Sequence, residues 1–216
     1  VNVDAVFFDF GGVIISSPFE AFAAYEERIG LPRDAIRRIN THNPDRNAWA
    51  RFERNELDIS EFIVTFENEA RSLGYELSGE EVLACLNGTL RPEMVRALGL
   101  LRGRVHLALL TNNVAVADTA TMGGDGGAVA EVLRQFDVIV ESSAVGCRKP
   151  EPRFYEMACE LSGVRPENVV FLDDLGINLK PARAMGMTTI KVADPIAALT
   201  ELSRLVSVEL VEYPRG

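Results

Sequence analysis

The chain has 216 residues, 47% of them hydrophobic and 25% charged, which is ordinary globular composition and excludes extensive disorder. Its formal net charge of −10 argues against a nucleic-acid partner, which calls for a basic face, yet permits an anionic small substrate in a locally positive pocket. No apolar run is long enough to span a bilayer, Cys85, Cys147 and Cys159 have no metal spacing and cannot all pair, and the first strand starts at once, all of which points to a cytoplasmic protein with no membrane partner.

Val6-Phe7-Phe8-Asp9-Phe10-Gly11-Gly12 reads as a short strand buried on both faces, ending in one carboxylate and a glycine pair. Glycine there allows a tight turn and close approach of a ligand to the main chain. Residues 17–88 then change character. Phe19, Phe22, Ala23 and Ile29 fall at helical spacing before Gly30, and further short helices are expected over 33–39 and 46–54. Phe62, Ile63, Phe66, Ala70 and Leu73 mark a fourth helix, stopped by Gly74. Ser78 to Glu81 fits a capping box opening a fifth, which ends near Asn87-Gly88. With no strand inside it, this block reads as a helical cap inserted into a core made of residues 1–16 and 89–216.

From Arg91 helix and strand alternate. Helices are expected over 92–101, at the end of 118–136, and over 153–161, 179–185 and 195–205. Strands are expected over 105–110, 138–140, 169–172 and 188–192, with a last edge strand over 208–211. Such alternation implies parallel pairing with right-handed crossovers, so an α/β fold with a doubly wound parallel sheet. The Gly123–Gly127 segment reads as a mobile loop. It lacks the Lys-Ser/Thr ending and the preceding strand of a phosphate-cradling loop.

Chemistry gathers at the carboxyl ends of the strands. Asp9 follows the first, Thr111-Asn112 the second and Asp173-Asp174 the fourth, and Lys149 precedes the helix before that fourth strand. In an open parallel sheet these ends share one edge, so the groups can converge. A carboxylate nucleophile, hydroxyl and amide donors, a lysine and an acidic pair suit phosphoryl transfer, with the acids holding a divalent cation.

These segments resemble the motifs of the haloacid dehalogenase superfamily. Phe8-Asp9-Phe10-Gly11-Gly12-Val13 is similar to the family's first motif, Leu110-Thr111-Asn112 to the second, Arg148-Lys149-Pro150 to the third and Phe171-Leu172-Asp173-Asp174 to the fourth. The stretches 141–152 and 169–183 look like the N-terminal phosphatase domain of soluble epoxide hydrolase and the similar domain of some acyl-CoA dehydrogenases. The helical insert is similar to the cap of the family's first subclass, closing over small substrates, with hinges expected near 16–18 and 87–91. The resemblance implies that Asp9 takes the phosphoryl group as an aspartyl phosphate. It further implies that Asp9, Asp174 and the Gly11 carbonyl bind Mg²⁺, and that Thr111, Asn112 and Lys149 hold the phosphate. Asp173 and Asn178 would support them.

One position departs from the family. Its phosphatases carry a second aspartate two residues after the nucleophile, as the general acid and base, and here that place is Gly11. Three functions stay open. The protein is a phosphatase for small phosphorylated metabolites with good leaving groups, such as sugar 1-phosphates or acyl phosphates, or a non-catalytic phosphate-binding module, or a 2-haloacid dehalogenase. Asp173-Asp174 argues for Mg²⁺ and against the last. His42 reads as a loop histidine, His106 as structural, and Trp49 and Phe52 as cap core. Both monomer and homodimer are compatible with the sequence.

Overall fold

The computed structural model describes residues 2–112 and 126–211. β1 (Ala5–Asp9) lies at the centre of a five-stranded parallel sheet. β2 (His106–Thr111) and then β3 (Val138–Glu141) lie on one side, β4 (Val169–Asp173) and then β5 (Thr188–Lys191) on the other. The chain therefore reverses its direction of winding between β1 and β4, the place where open α/β sheets present a crevice for ligands. Every residue of β1 and β4 is buried, as expected of strands covered on both faces.

Side-chain alternation divides the core in two. Val6 and Phe8 of β1, Leu107 and Leu109 of β2, and Val170 and Leu172 of β4 face α6 (Pro92–Leu101), α7 (Gly126–Leu133) and α11 (Pro195–Val206). Ala5, Phe7, Ala108, Leu110, Val169 and Phe171 face the other way, against α9 (Pro152–Ser162) and α10 (Gly176–Ala184). That parity decides where the acids go. Asp9 continues the Ala5, Phe7 series and Asp173 the Val169, Phe171 series, so both emerge on one face of adjacent strands.

Between β1 and β2 the chain makes α1 (Pro18–Ile29), α2 (Ala35–Thr41), α3 (Ala48–Glu53), α4 (Ile59–Ser72) and α5 (Gly79–Ala84). They enclose an apolar cluster of their own around Phe22, Ile36, Phe62 and Phe66. The two crossings into this insert are tied together. The Ser16 N–H donates to the Thr89 carbonyl at 2.8 Å and the Arg91 N–H to the Ile14 carbonyl at 2.9 Å. α1 stops at Gly30 in the left-handed conformation (φ 73°) as expected.

Three local expectations need correction. The reciprocal capping box sits at Asp58 and Glu61, opening α4, whereas at α5 only Ser78 caps, accepting from the Glu81 N–H at 3.3 Å. α5 also ends at Ala84, before the expected stop. Residues 208–211 form no strand. Leu210 and Val211 are buried against the α11 side of the sheet as irregular chain, and the Leu210 N–H is satisfied by Ser203 Oγ at 3.1 Å, so no ladder is needed. A four-residue helix, α8 (Ser142–Val145), follows β3 where none is foreseen. Residues 123–125 of the glycine-rich segment lie outside the described residues. No helix among the described residues is long and apolar enough to cross a membrane.

Candidate active site

At the sheet's carboxyl edge a buried lysine joins the two acids that parity brings together. Lys149 Nζ lies 2.7 Å from Asp9 Oδ1 and 2.9 Å from Asp173 Oδ2, and donates to the Leu110 carbonyl at 3.0 Å. Its side chain is 1% exposed, and a charge that deep is tolerable only when paired. Burial alone would lower its pKa, but Asp173 and Asp9 outweigh burial and hold the ammonium above its ordinary value. Asp173 is fully saturated. Its oxygens also accept from Asn178 Nδ2 at 3.1 Å and from the Leu175 N–H at 2.8 Å, and Asn178 is held through its carbonyl by the Tyr155 hydroxyl at 2.7 Å.

Asp9, Asp173 and Asp174 each offer a carboxylate oxygen within 4.8 Å of the others, a hard-donor cluster that fits Mg²⁺. Because Asp173 is occupied by Lys149, Asn178 and the Leu175 N–H, Asp9 and Asp174 are the carboxylates left for a cation. Burial pushes Asp174 up to about 6, with the Asp173 charge adding to it and Lys149 and Ser17 opposing. Burial likewise raises Asp9 well above the usual carboxylate range. Lys149 pulls it back, and the Asp173 and Asp174 charges push it up again. A bound cation favours the ionised form of both.

The two glycines play different parts. Gly12 has φ +78°, and a Cβ there would sit 2.2 Å from Asp174 Oδ2, so only glycine lets that carboxylate reach its place. A Cβ on Gly11 would meet nothing within 4 Å, and its φ is not in the left-handed region. The absence of a side chain at residue 11 is therefore not imposed by the fold.

Thr111 is buried and lines the same cavity as Asp9 and Lys149. Asn112 is more constrained than expected. Its Oδ1 accepts from the Lys149 N–H and its Nδ2 donates to the Lys149 carbonyl, both at 2.8 Å, and Nδ2 also reaches Glu53 Oε2 at 3.4 Å. Glu53, at the end of α3, is 8% exposed and paired with Arg148. Burial raises its pKa, with Arg148 the chief opposing charge. Sequence reasoning passes over Glu53 because an acid closing a short helix looks like any solvated one. The only signal is its seat beside Trp49 and Phe52.

The cavity over these groups is about 190 Å³. Its floor is polar, with Asp9, Thr111, Lys149 and Asp174. Its roof comes from the insert and is mainly apolar, with Phe19, Phe22, Trp49, Phe52 and Leu86 beside the polar Asn40 and Glu53. Trp49 and Phe52 also pack on Phe62, with ring centroids 5.1 and 4.5 Å apart, so they serve the insert's core and the cavity wall together, beyond the core role expected for them. Asn40 lines this roof, and its Oδ1 is buried with no hydrogen-bond partner among the described residues. His42 is exposed outside the cavity, and His106 opens β2, with Nδ1 3.6 Å from Asp137.

Comparison with known proteins agrees with this geometry. The chain is 30% identical over 222 residues to bifunctional epoxide hydrolase 2 of Sus scrofa, and 31% identical over 212 residues to acyl-CoA dehydrogenase family member 10 of Mus musculus. These alignments take in 97% and 95% of this chain but only 40% and 19% of the relatives. A relative of matching length is the sesquiterpene phosphatase astK of Aspergillus oryzae, 27% identical, with 94% of this chain and 96% of that protein aligned. A HAD family enzyme from Bacteroides thetaiotaomicron, solved with magnesium and inorganic phosphate, has the same fold. Its TM-score is 0.59 at 22% identity, over 88% of this chain and 94% of that one. The model of the haloacid dehalogenase-like hydrolases matches residues 3–186, and the chain belongs to that family of hydrolases.

Proposed function

We propose that the protein is a Mg²⁺-dependent phosphatase that transfers the phosphoryl group of a small phosphomonoester to Asp9 and then to water. The observation that carries this reading is the polar floor, where one carboxylate beside a buried lysine and a second carboxylate outside that ion pair face the same cavity. Residues 17–88 act as the cap and 1–16 with 89–216 as the core. The three cysteines are free thiols, in keeping with a cytoplasmic setting.

In the first step an Asp9 oxygen attacks phosphorus and the ester oxygen leaves with the bonding pair, giving an acyl phosphate on Asp9. In the second, water attacks that phosphorus and Asp9 is released as carboxylate. Lys149 offsets charge on the phosphoryl oxygens, and Thr111 with the Asn112 main-chain N–H donates to them. Asp9, Asp174 and the Gly11 carbonyl would hold Mg²⁺, which would supply positive charge to offset that of the phosphoryl group. With Gly11 in place of a proton donor, the leaving oxygen departs unassisted, so good leaving groups are favoured.

The roof narrows the substrate further. An apolar wall rewards an apolar leaving group and gives a polyol few partners, so aryl and other apolar phosphates rank above sugar 1-phosphates. A relative named a sesquiterpene phosphatase supports that ranking. The test is phosphate release from phenyl phosphate, a prenyl phosphate, acetyl phosphate and a hexose 1-phosphate, with Mg²⁺, with chelator and with Asp9→Asn. Release that needs both Mg²⁺ and Asp9, and is fastest with apolar or acidic leaving groups, is expected. No release from any of the four would remove the phosphatase reading.

A further inference from the structure

The end of α3 grips the loop that carries Lys149 from both sides. Glu53 pairs with Arg148, and Arg54 Nη1 lies 3.5 Å from Glu151 Oε1, so two ion pairs of opposite polarity bracket Lys149 and Pro150. Arg148 Nη2 also donates to the Pro44 carbonyl of the insert at 2.8 Å. On the inner side Glu53 Oε2 meets Asn112 Nδ2, and Asn112 holds both main-chain groups of Lys149.

The Glu53 and Arg148 side chains are 10% and 14% exposed, so their attraction is little screened by water or salt. Arg148 and Asn112 both donate to this carboxylate. Held by these two donors, the carboxylate serves as an acceptor that ties Arg148 to Asn112. Its neighbours Trp49 and Phe52 form the roof of the cavity. The contact that feels the leaving group and the contact that fixes the catalytic loop are thus on one six-residue helix.

We propose that Glu53 is a positioning residue for phosphoryl transfer: seated by the cap between Arg148 and Asn112, it fixes the Lys149 main chain and so the ammonium against Asp9. The inference rests on the phosphatase reading for its kinetic consequence but not for its structural one. With the cap lifted, Asn112 and Arg148 lose a shared partner and Lys149 loses its fixed placement. With the cap seated over a fitting leaving group, the loop is locked.

The experiment compares wild type with Glu53→Ala, Glu53→Gln and Arg54→Gln, and with Val82→Ala as a cap-core change on α5, away from α3. Two quantities are read: kcat and KM on the best phosphate ester, and hydrogen exchange of the Lys149 amide, which donates to Asn112 Oδ1. For Glu53→Ala, kcat should fall about tenfold or more with KM within about threefold, and the Lys149 amide should exchange about tenfold faster. Glu53→Gln keeps an acceptor for Asn112 and should retain more activity than Glu53→Ala, and Arg54→Gln should lose less than either. Unchanged kcat together with unchanged exchange in Glu53→Ala overturns the proposal. So does an equal loss of kcat in Val82→Ala at the same drop in Tm, which would make the effect one of stability. If wild type hydrolyses no ester, the phosphatase reading fails by itself and the Lys149 exchange alone decides the role of Glu53.

Discussion

Gly11→Asp places a carboxyl in the one position where the chain lacks the proton donor of related phosphatases. The structure accepts it, since a Cβ there meets no heavy atom within 4 Å and residue 11 has no positive φ to strain. The new group joins Asp9, Asp173 and Asp174, opposed within the site by Lys149. Unit charges about 4–6 Å apart interact by about 3–4 kcal/mol at an effective dielectric of about 20. Each uncompensated acid thus raises the introduced carboxyl by about two to three units, a push toward the proton-donating form that bound Mg²⁺ lessens.

General acid help is worth about 10²–10⁴ in rate, and only where the leaving oxygen needs a proton. Alkyl phosphate hydrolysis by Gly11→Asp should therefore rise about 10²-fold. Hydrolysis of p-nitrophenyl phosphate, whose leaving group is stable as an anion, should change by less than about threefold. The assay is kcat for both esters at saturating Mg²⁺, and the ratio of the two is the readout. Equal changes for the two esters, or none in a variant that still folds and still binds Mg²⁺, would refute the reasoning that Gly11 removes a proton donor.

Gly12→Ala drives a methyl into Asp174 and forces a left-handed residue, a conformational cost of about 1–2 kcal/mol before the clash is counted; the rise in Tm on adding Mg²⁺ should disappear, and a wild-type rise would show Asp174 is not a ligand. Lys149→Met strands two buried carboxylates and should lower stability by about 3–5 kcal/mol at neutral pH. The deficit should shrink toward pH 4 as the acids protonate, and a pH-independent loss in urea unfolding would count against the pairing. Asp174 is raised to about 6 from 3.8, so the folded chain keeps a proton that the unfolded chain releases. Metal-free stability should fall as pH rises between those values, and Mg²⁺, which binds the ionised form, should raise Tm more at about pH 7.5 than at about pH 5. Equal shifts at the two pH values would sink this account.

What the sequence makes legible follows from period and position. The buried run ending at Asp9, the alternation after Arg91 and the acid pair after Phe171-Leu172 locate the sheet and its carboxyl edge, because burial on both faces leaves a continuous apolar signature. What escapes is set by tertiary contact. Leu210 and Val211 have strand composition but find their burial on α11 without a ladder. Asn112 has the look of a phosphate donor, yet its side chain is spent on the Lys149 main chain, a pairing across 37 positions that no local pattern encodes. Glu53 is the clearest case, since its partner lies 95 residues away.

The arrangement of charge is what supports a cation in the proposed site. Asp9, Asp173 and Asp174 ionised, against the single ammonium of Lys149, leave two negative charges in a largely buried space, while Glu53 and Arg148 cancel each other. A phosphate dianion entering that field is repelled, and one ammonium shared by two buried carboxylates compensates Asp9 only in part. Burial first, and the neighbouring acids after it, raise Asp9 and Asp174, and the one ammonium of Lys149 is shared between Asp9 and Asp173. On the proposed reading, Asp9 and Asp174 would hold a divalent ion, whose two charges would bring the floor to neutrality and favour ionised Asp9. One monovalent ion would leave a charge uncompensated. Phosphate release should therefore depend on Mg²⁺ and stay unsupported by K⁺ or Na⁺ at any concentration, and activity in chelator with monovalent salt alone would break this argument at its root.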